Sequence, residues 1–254
     1  MLEALLVSLA FILGTTALSL LVYLAMRRAM RASVDQAATD LAGSVLTRIA
    51  GLHALILALV FAQEMLSYEE LKTENATEAN AVADVYFDAA RYGDGAAEHK
   101  IQDALFSYVR IVIDQEWGQL DDSGHLLQPA WDAWDAAYQG VLDLEPATGR
   151  QKSLREHMLD QAHVIATTRV KRESHESSIS GMFWFAALAG VVCIALAYYP
   201  YRPERHTLIL IGLLGAFTGV ILLFIFAFAN PFGEPGALEP RELERVLAQI
   251  EQSR

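Results

Sequence analysis

Hydrophobic and polar residues fall in blocks along this chain, and the block lengths predict membrane spans. Residues 4–26 carry no charged side chain over 23 positions, enough to cross a bilayer's hydrocarbon core. Arg27, Arg28 and Arg31 follow. Residues 32–47 are moderately amphipathic, with Asp35, Gln36 and Asp40 as the polar members, and predict a short interfacial helix. A second apolar run lies between Arg48 and Glu64, a third covers 179–199 and a fourth covers 207–229. Between the second and third, residues 67–178 mix apolar and polar positions at helical spacing.

The second apolar run belongs to a longer helix predicted over 48–92. It has no proline, its single glycine is Gly51, and Ala, Leu and Glu dominate it. Only 15 residues separate Arg48 from Glu64, about 24 Å of helix and short for a bilayer. Either the ends snorkel or neighbouring helices shield the span beside a wet interior. At 100° per residue one face carries His53, Val60, Glu64 and Ser67, with Leu57 between them. The opposite face carries Gly51, Ala54, Ala58 and Ala62, with Met65 beyond. Small residues suit either close helix packing or the lining of a pore. His53 is a functional candidate or a hydrogen-bonding partner of a neighbouring helix. Glu64 is an interfacial helix end or, repeated in a ring, a charge collector for cations.

The polar segment predicts an acidic bundle of four antiparallel helices. The first stops at Gly93-Asp94-Gly95. The second, 96–118, places Ile101, Leu105, Tyr108, Val109 and Val112 on one face. A turn cluster at 121–125 precedes the third, 129–144, with Pro129 in its first turn and Trp131, Trp134, Tyr138, Val141 and Leu142 as core. The fourth, from 151, presents Leu154, Met158, Ala162, Ile165 and Val170 and is expected to run on into the third span. Residues 200–206 form a tight basic loop, and Gly212, Gly215 and Gly219 in the last span are available for close packing. Residues 230–236 break the helix. Residues 240–252 predict an amphipathic helix with Leu243, Val246, Leu247 and Ile250 on one side.

The expected fold is thus an all-α membrane protein with four transmembrane helices, the second continuous with a long extramembrane helix. The expected parts are residues 1–66, the acidic domain 67–178, residues 179–229 and a tail 230–254. Charge sharpens this picture. The net charge is −12, and residues 67–178 hold 21 acids against 10 Lys and Arg. Such a domain repels nucleic acid and anionic headgroups and attracts cations. Cys193 is the only cysteine, so no intrachain disulfide or cysteine metal site is possible.

Catalytic signals are sparse. No phosphate loop, nucleophile elbow or zinc HExxH motif occurs, and neither enzyme activity nor a cofactor is expected. His157, Asp160 and His163 share one helix, but His157 and His163 are six residues apart and point to nearly opposite sides. His175 and Glu176 lie near its membrane end. Asn75-Ala76-Thr77 matches a glycosylation sequon inside a predicted helix.

The order span, span, acidic helical domain, span, span resembles the bestrophin-like domain family. Glu78-Ala79-Asn80, following Tyr68, resembles that family's acidic stretch beyond the second span. Pro231-Phe232-Gly233, followed by Leu238, Pro240 and Leu243, resembles its closing segment, without the residue usual between Phe and Gly. The more remote resemblance to bestrophins implies a pentameric ion channel in which the second span lines the pore. With Tyr68 setting the register, the neck positions hold Ala54, Ala58 and Ala62, where bestrophins have bulky apolar side chains. The His53 face and the alanine face therefore both stand as candidate linings.

The leading expectation is a homo-oligomeric channel, cation-preferring, embedded in lipid and assembled as a ring of about five subunits. Its selectivity candidates are His53, Val60, Glu64, Ser67, Glu70, Glu74 and Glu78. The other expectation is a non-conducting sensory or scaffolding module on a membrane anchor. Four spans put both termini and the acidic domain on one side. Flanking Lys and Arg are tied at six on each side. The resemblance implies the cytoplasmic side of a bacterial inner membrane.

Overall fold

The computed structural model describes residues 2–30, 36–120, 124–174, 179 and 181–254. Among these residues the fold is all-α, with no strand. In chain order the helices are α1 (Leu2–Met30), α2 (Gln36–Tyr92), α3 (Gly95–Ile111), α4 (Gln128–Leu142), α5 (Gly149–Ser174), α6 (Gly181–Ala197), α7 (Arg205–Ala229) and α8 (Arg241–Ser253). By length and apolar composition α1, α2 and α7 can each cross a membrane, and α6 is a shorter apolar helix of 17 residues.

The contacts divide the chain into two compact units, residues 1–67 with 177–237 and residues 68–176 with 238–254. One helix, α2, contributes to both. Its 57 residues span about 85 Å. It starts at Gln36, so most of the expected interfacial helix is the first turns of α2. Nothing between Gln36 and Arg48 breaks a helix: there is no proline, and Gly43 is the one weak helix former of its kind. The junction at residues 31–35 and the expected passage from α5 into the third span, at 175–178, lie outside the described residues.

In the first unit α1 packs along α7 and against α6. Gly215 and Gly219 permit the close approach of α1 to α7. A Cβ at Gly219 would lie 2.4 Å from Thr15 Oγ1, 2.7 Å from the Phe11 carbonyl oxygen and 2.8 Å from Ile12 Cα. Backbones this close let Thr15 Oγ1 donate to the Gly215 carbonyl at 2.8 Å. Leu57, Ala187, Leu222 and Ile225 form a buried apolar cluster joining α2, α6 and α7, with Phe11, Phe61 and Trp184 packed on it. At the far end of α6, Arg27 Nη1 donates to the carbonyls of Tyr199 and Tyr201 at 2.9 Å. Tyr23 Oη donates to the Tyr201 carbonyl at 2.8 Å. An arginine of α1 thereby satisfies carbonyls that the end of α6 leaves unpaired.

In the second unit α2 ends at Gly93, whose φ of +83° suits glycine, and the Asp94 side chain caps α3 by accepting from the Ala97 amide. Pro129 sits in the first turn of α4. Ile101, Leu105, Tyr108, Val109 and Val112 are all buried, as their spacing predicts. The expected second helix runs on past α3 in altered form: a π turn over Val112–Glu116, then a 3-10 turn over Trp117–Gln119. α4 presents Val141 to the core, but Trp131, Trp134 and Tyr138 are half-buried and Leu142 is exposed. α8 lays Leu243, Val246 and Ile250 into the core and contacts α3.

The α1–α7 seam gives the first test. Gly219→Ala forces the Cβ against backbone that cannot give way, and overpacking of this kind costs about 1–3 kcal/mol. The expected result is a lower thermal midpoint in detergent. Gly14→Ala, with nothing within 4 Å of the added carbon, should leave the midpoint unchanged.

Candidate functional site

Two features could serve function: the apolar part of α2, and the charged core of the second unit. The first is decided by what packs on α2. His53, Leu57 and Glu64 are buried, His53 against Gly190 of α6 and Leu57 in the apolar cluster on which Val60 also packs. Ser67 is half-buried and accepts a long bond from Gln63 Nε2 at 3.4 Å. Gly51, Ala54, Ala58, Ala62 and Met65 are exposed, as are Leu52, Leu55, Leu59 and Leu66 beside them. The chain turns its titratable side inward and its small side outward.

The second feature is an ionic core. Glu78 on α2, Glu116 in the π turn, and Arg169 and Arg172 on α5 are all 0–1% exposed. Arg169 grips Glu116 with two bonds, Nη1 to Oε1 at 3.1 Å and Nη2 to Oε2 at 2.7 Å. Arg172 pairs with Glu78 and reaches Glu116 Oε1 at 3.4 Å. Tyr108 Oη donates to Glu78 Oε1 at 2.6 Å, and the Leu127 amide donates to Glu116 Oε2 at 2.9 Å. Aromatic faces complete the cage. The Arg169 guanidinium lies 4.7 Å from the Trp131 ring centre, and that of Arg172 lies 5.1 Å from Trp117. Two carboxylates and two guanidiniums cancel, which is the condition for burying any of them.

Local sequence explains the placement. Met158, Ala162, Ile165, Arg169 and Arg172 are spaced four, three, four and three residues apart, one continuous stripe of α5. Val170, expected on that face, lies off the stripe and is exposed. On α2 the stripe Leu71, Glu74, Glu78, Val85 and Tyr92 is likewise buried and carries two acids. The widened turn after α3 turns Glu116 inward where a regular helix would continue.

Electrostatics follow. Burial raises the Tyr108 hydroxyl to about 12, against the opposing pull of Arg169. Burial disfavours the charge on Arg169, but Tyr108 and Glu116 outweigh it and hold the guanidinium above its ordinary value. Burial lowers Arg172 to about 9, which still leaves it charged at neutral pH. At the edge of the core Glu74 takes Lys171 Nζ at 2.5 Å.

The sequence candidates therefore separate. Glu74 and Glu78 are neutralised by cations of α5, and Glu70 is exposed. Sequence reasoning missed Glu116, Arg169 and Arg172 as a site. The signal available was two arginines on an apolar stripe. His157 Nδ1 meets Asp88 at 2.7 Å and His163 packs edge-on to Tyr138. Among the described residues no group of His, Cys, Asp and Glu is arranged to hold a metal ion. His175 and Glu176 lie outside the described residues. Asn75 lies within α2.

A family model described as Bestrophin-like domain matches residues 13–243. Two point variants of a bacterial bestrophin homologue from Klebsiella pneumoniae share the fold. One superposes with a TM-score of 0.63 at 12% identity over 95% of this chain and 97% of that chain. The other does so with a TM-score of 0.62 at 13% identity over 96% and 98%. No curated protein sequence matches this chain.

The ionic core makes an alkaline prediction. The folded-state Tyr108 hydroxyl titrates above its ordinary value, so the stability it contributes is complete below pH 10 and is lost as pH rises toward about 12. Arg172, with its lowered value, acts in the opposite sense over the same range, so the test is a difference: chemical denaturation should show the stability of wild type relative to Tyr108→Phe falling across that window. Breaking the ion pair is a separate test. Arg169→Met removes the two-pronged partner of Glu116, leaving it the 3.4 Å contact of Arg172 and the Leu127 amide, and should destabilise the second unit by about 3 kcal/mol in chemical denaturation.

Proposed function

The chain belongs to the Bestrophin-like domain family, and on that premise we propose that it is a channel for inorganic ions. It assembles as a homo-oligomeric ring, five subunits being the expected number, with α2 of every copy around the axis. α6 serves as the remaining span, giving four crossings in a bacterial inner membrane, with termini and acidic domain on the cytoplasmic side.

One observation carries the choice of lining. The His53 side of α2 is already buried in its own subunit, while Ala54, Ala58 and Ala62 are exposed. Their narrow face, with Gly51, suits the axis. The adjoining Leu52, Leu55, Leu59 and Leu66 suit a neighbouring copy, because large exposed apolar side chains gain most from a protein contact. An alanine neck is wider than one built from bulky residues and carries no charge. Selection then falls to carboxylates near its end. Exposed Glu70 supplies the larger share, Glu64 a smaller one because it is buried, and Glu74 and Glu78 little because they are paired. The net charge of −12 supports a cation preference.

Two measurements test this reading. In a Cys193→Ser background, cysteine at Ala54, Ala58 or Ala62 should make the current sensitive to a charged methanethiosulfonate reagent, and cysteine at Leu55 or Leu59 should not. The reverse pattern puts the leucine face on the axis. A monomer by native mass spectrometry, with no current in liposomes, favours the non-conducting module. For selectivity, Glu70→Gln, which removes a carboxylate from every copy in the ring, should lower the cation-to-anion permeability ratio by at least about fivefold, the scale of about 1 kcal/mol that a single charge supplies in a wet site. Reversal potentials in a salt gradient read it.

A further inference from the structure

We propose that the contact of α2 with α6 at His53 and Gly190 is a proton-sensitive joint, tight when the imidazole is neutral and loosened when it is charged. His53 is 7% exposed, and its Nε2 is buried without a hydrogen-bond partner. The ring is seated on a glycine. A Cβ at Gly190 would lie 2.1 Å from His53 Nδ1 and 2.6 Å from Cε1, so no larger residue could stand there with the ring in place. One turn further along, Leu57 and Ala187 belong to the apolar cluster. A polar ring in so close a seat, with a nitrogen left unpaired, is a stable arrangement only while it is neutral.

The surroundings offer a charged ring nothing. Between Gly181 and Ala197, α6 holds no acid, lysine, arginine or histidine. Its one ionisable side chain is Cys193, which is exposed. On α2 the nearest charged residues are Arg48 and Glu64, five and eleven positions away. α1 keeps Glu3, Arg27 and Arg28 near its ends, with Tyr23 as its other ionisable side chain, and α7 keeps Arg205 and His206 in its first turn. Among the described residues no ion pair reaches His53. Protonation makes both ring nitrogens donors and adds a full charge, so relief requires the ring to leave its seat and reach water.

The sign follows directly. The packed joint excludes the proton that the loosened joint accepts, so its stability is present at high pH and lost as pH falls. Once the loosened state binds the proton, each further unit of acidification favours it tenfold. The joint needs no conduction to exist. Only its consequence, movement of a pore-lining helix, rests on the channel reading.

The experiment uses the full chain in lipid nanodiscs with Cys193→Ser. Spin labels go at Ile56 on α2 and Leu188 on α6, both exposed, with labelled chains diluted by unlabelled ones. Between pH 8 and pH 5 the label distance should widen by about 1–2 Å, the usual scale of helix shifts. Histidine ¹⁵N spectra, with the His53 signal identified by its loss in His53→Phe, should show that residue charging over the same range. His53→Phe should keep one distance at both pH values, and Gly190→Ala should show the acid distance already at pH 8. The proposal is overturned if His53 stays neutral at pH 5, if it charges with no change in distance, if His53→Phe retains the shift, or if Gly190→Ala leaves the distance unaltered. If His53→Phe does not fold, the wild-type titration and Gly190→Ala still decide. A distance shift in a protein that passes no current upholds the joint and refutes the channel.

Discussion

One unbroken helix has to satisfy two solvents. α2 is apolar where its neighbours are α6 and α7, and acidic where its neighbours are α3 and α5. In the first unit the helix turns His53 and Leu57 inward, in the second it turns Leu71, Glu74 and Glu78 inward, and each unit supplies partners for its own stripe. The first unit answers with a glycine seat and an apolar cluster. The second answers with two arginines, because the stripe there contains acids.

A core of this kind is specified more than it is stabilised. Four apolar residues of equal volume would hold the helices at least as tightly, since desolvating four charges consumes much of what their attraction returns. What charge supplies is register. Glu78 meets Arg172 only if α2 and α5 are not shifted by a turn, and the two-pronged grip of Arg169 on Glu116 requires the π turn to end where it does. The rings of Trp131, Trp117 and Tyr108 cover the guanidiniums and keep water from competing.

Much of this was legible in the residues. Uninterrupted apolar runs revealed the membrane helices, Gly93-Asp94 and Pro129 punctuated the acidic domain, and Gly215 and Gly219 marked the close seam. Two kinds of feature were not legible. Continuity across residues 36–48 was hidden because moderate amphipathicity fits an interfacial helix and an extended one equally. The ionic core was hidden because Arg169 and Arg172 read as surface charge until Glu78 and Glu116, from distant parts of the chain, are seen to meet them. The choice between the faces of α2 belongs to the same class. Periodicity defines two faces, but only the neighbours decide which is covered.

The second unit is discontinuous in the chain: residues 68–176 are completed by 238–254, through α8 on α3 and the bond from Trp117 Nε1 to the Leu238 carbonyl at 2.7 Å. Between those two pieces lie both later apolar helices. During synthesis, then, the acidic bundle must wait with an apolar face open while α6 and α7 are made and inserted. The seat for Leu243, Val246 and Ile250 is filled only after α6 and α7 have been made. Docking of α8 thus reports that both apolar helices have been made: until it docks, the nascent protein displays a hydrophobic surface that chaperones and proteases can recognise.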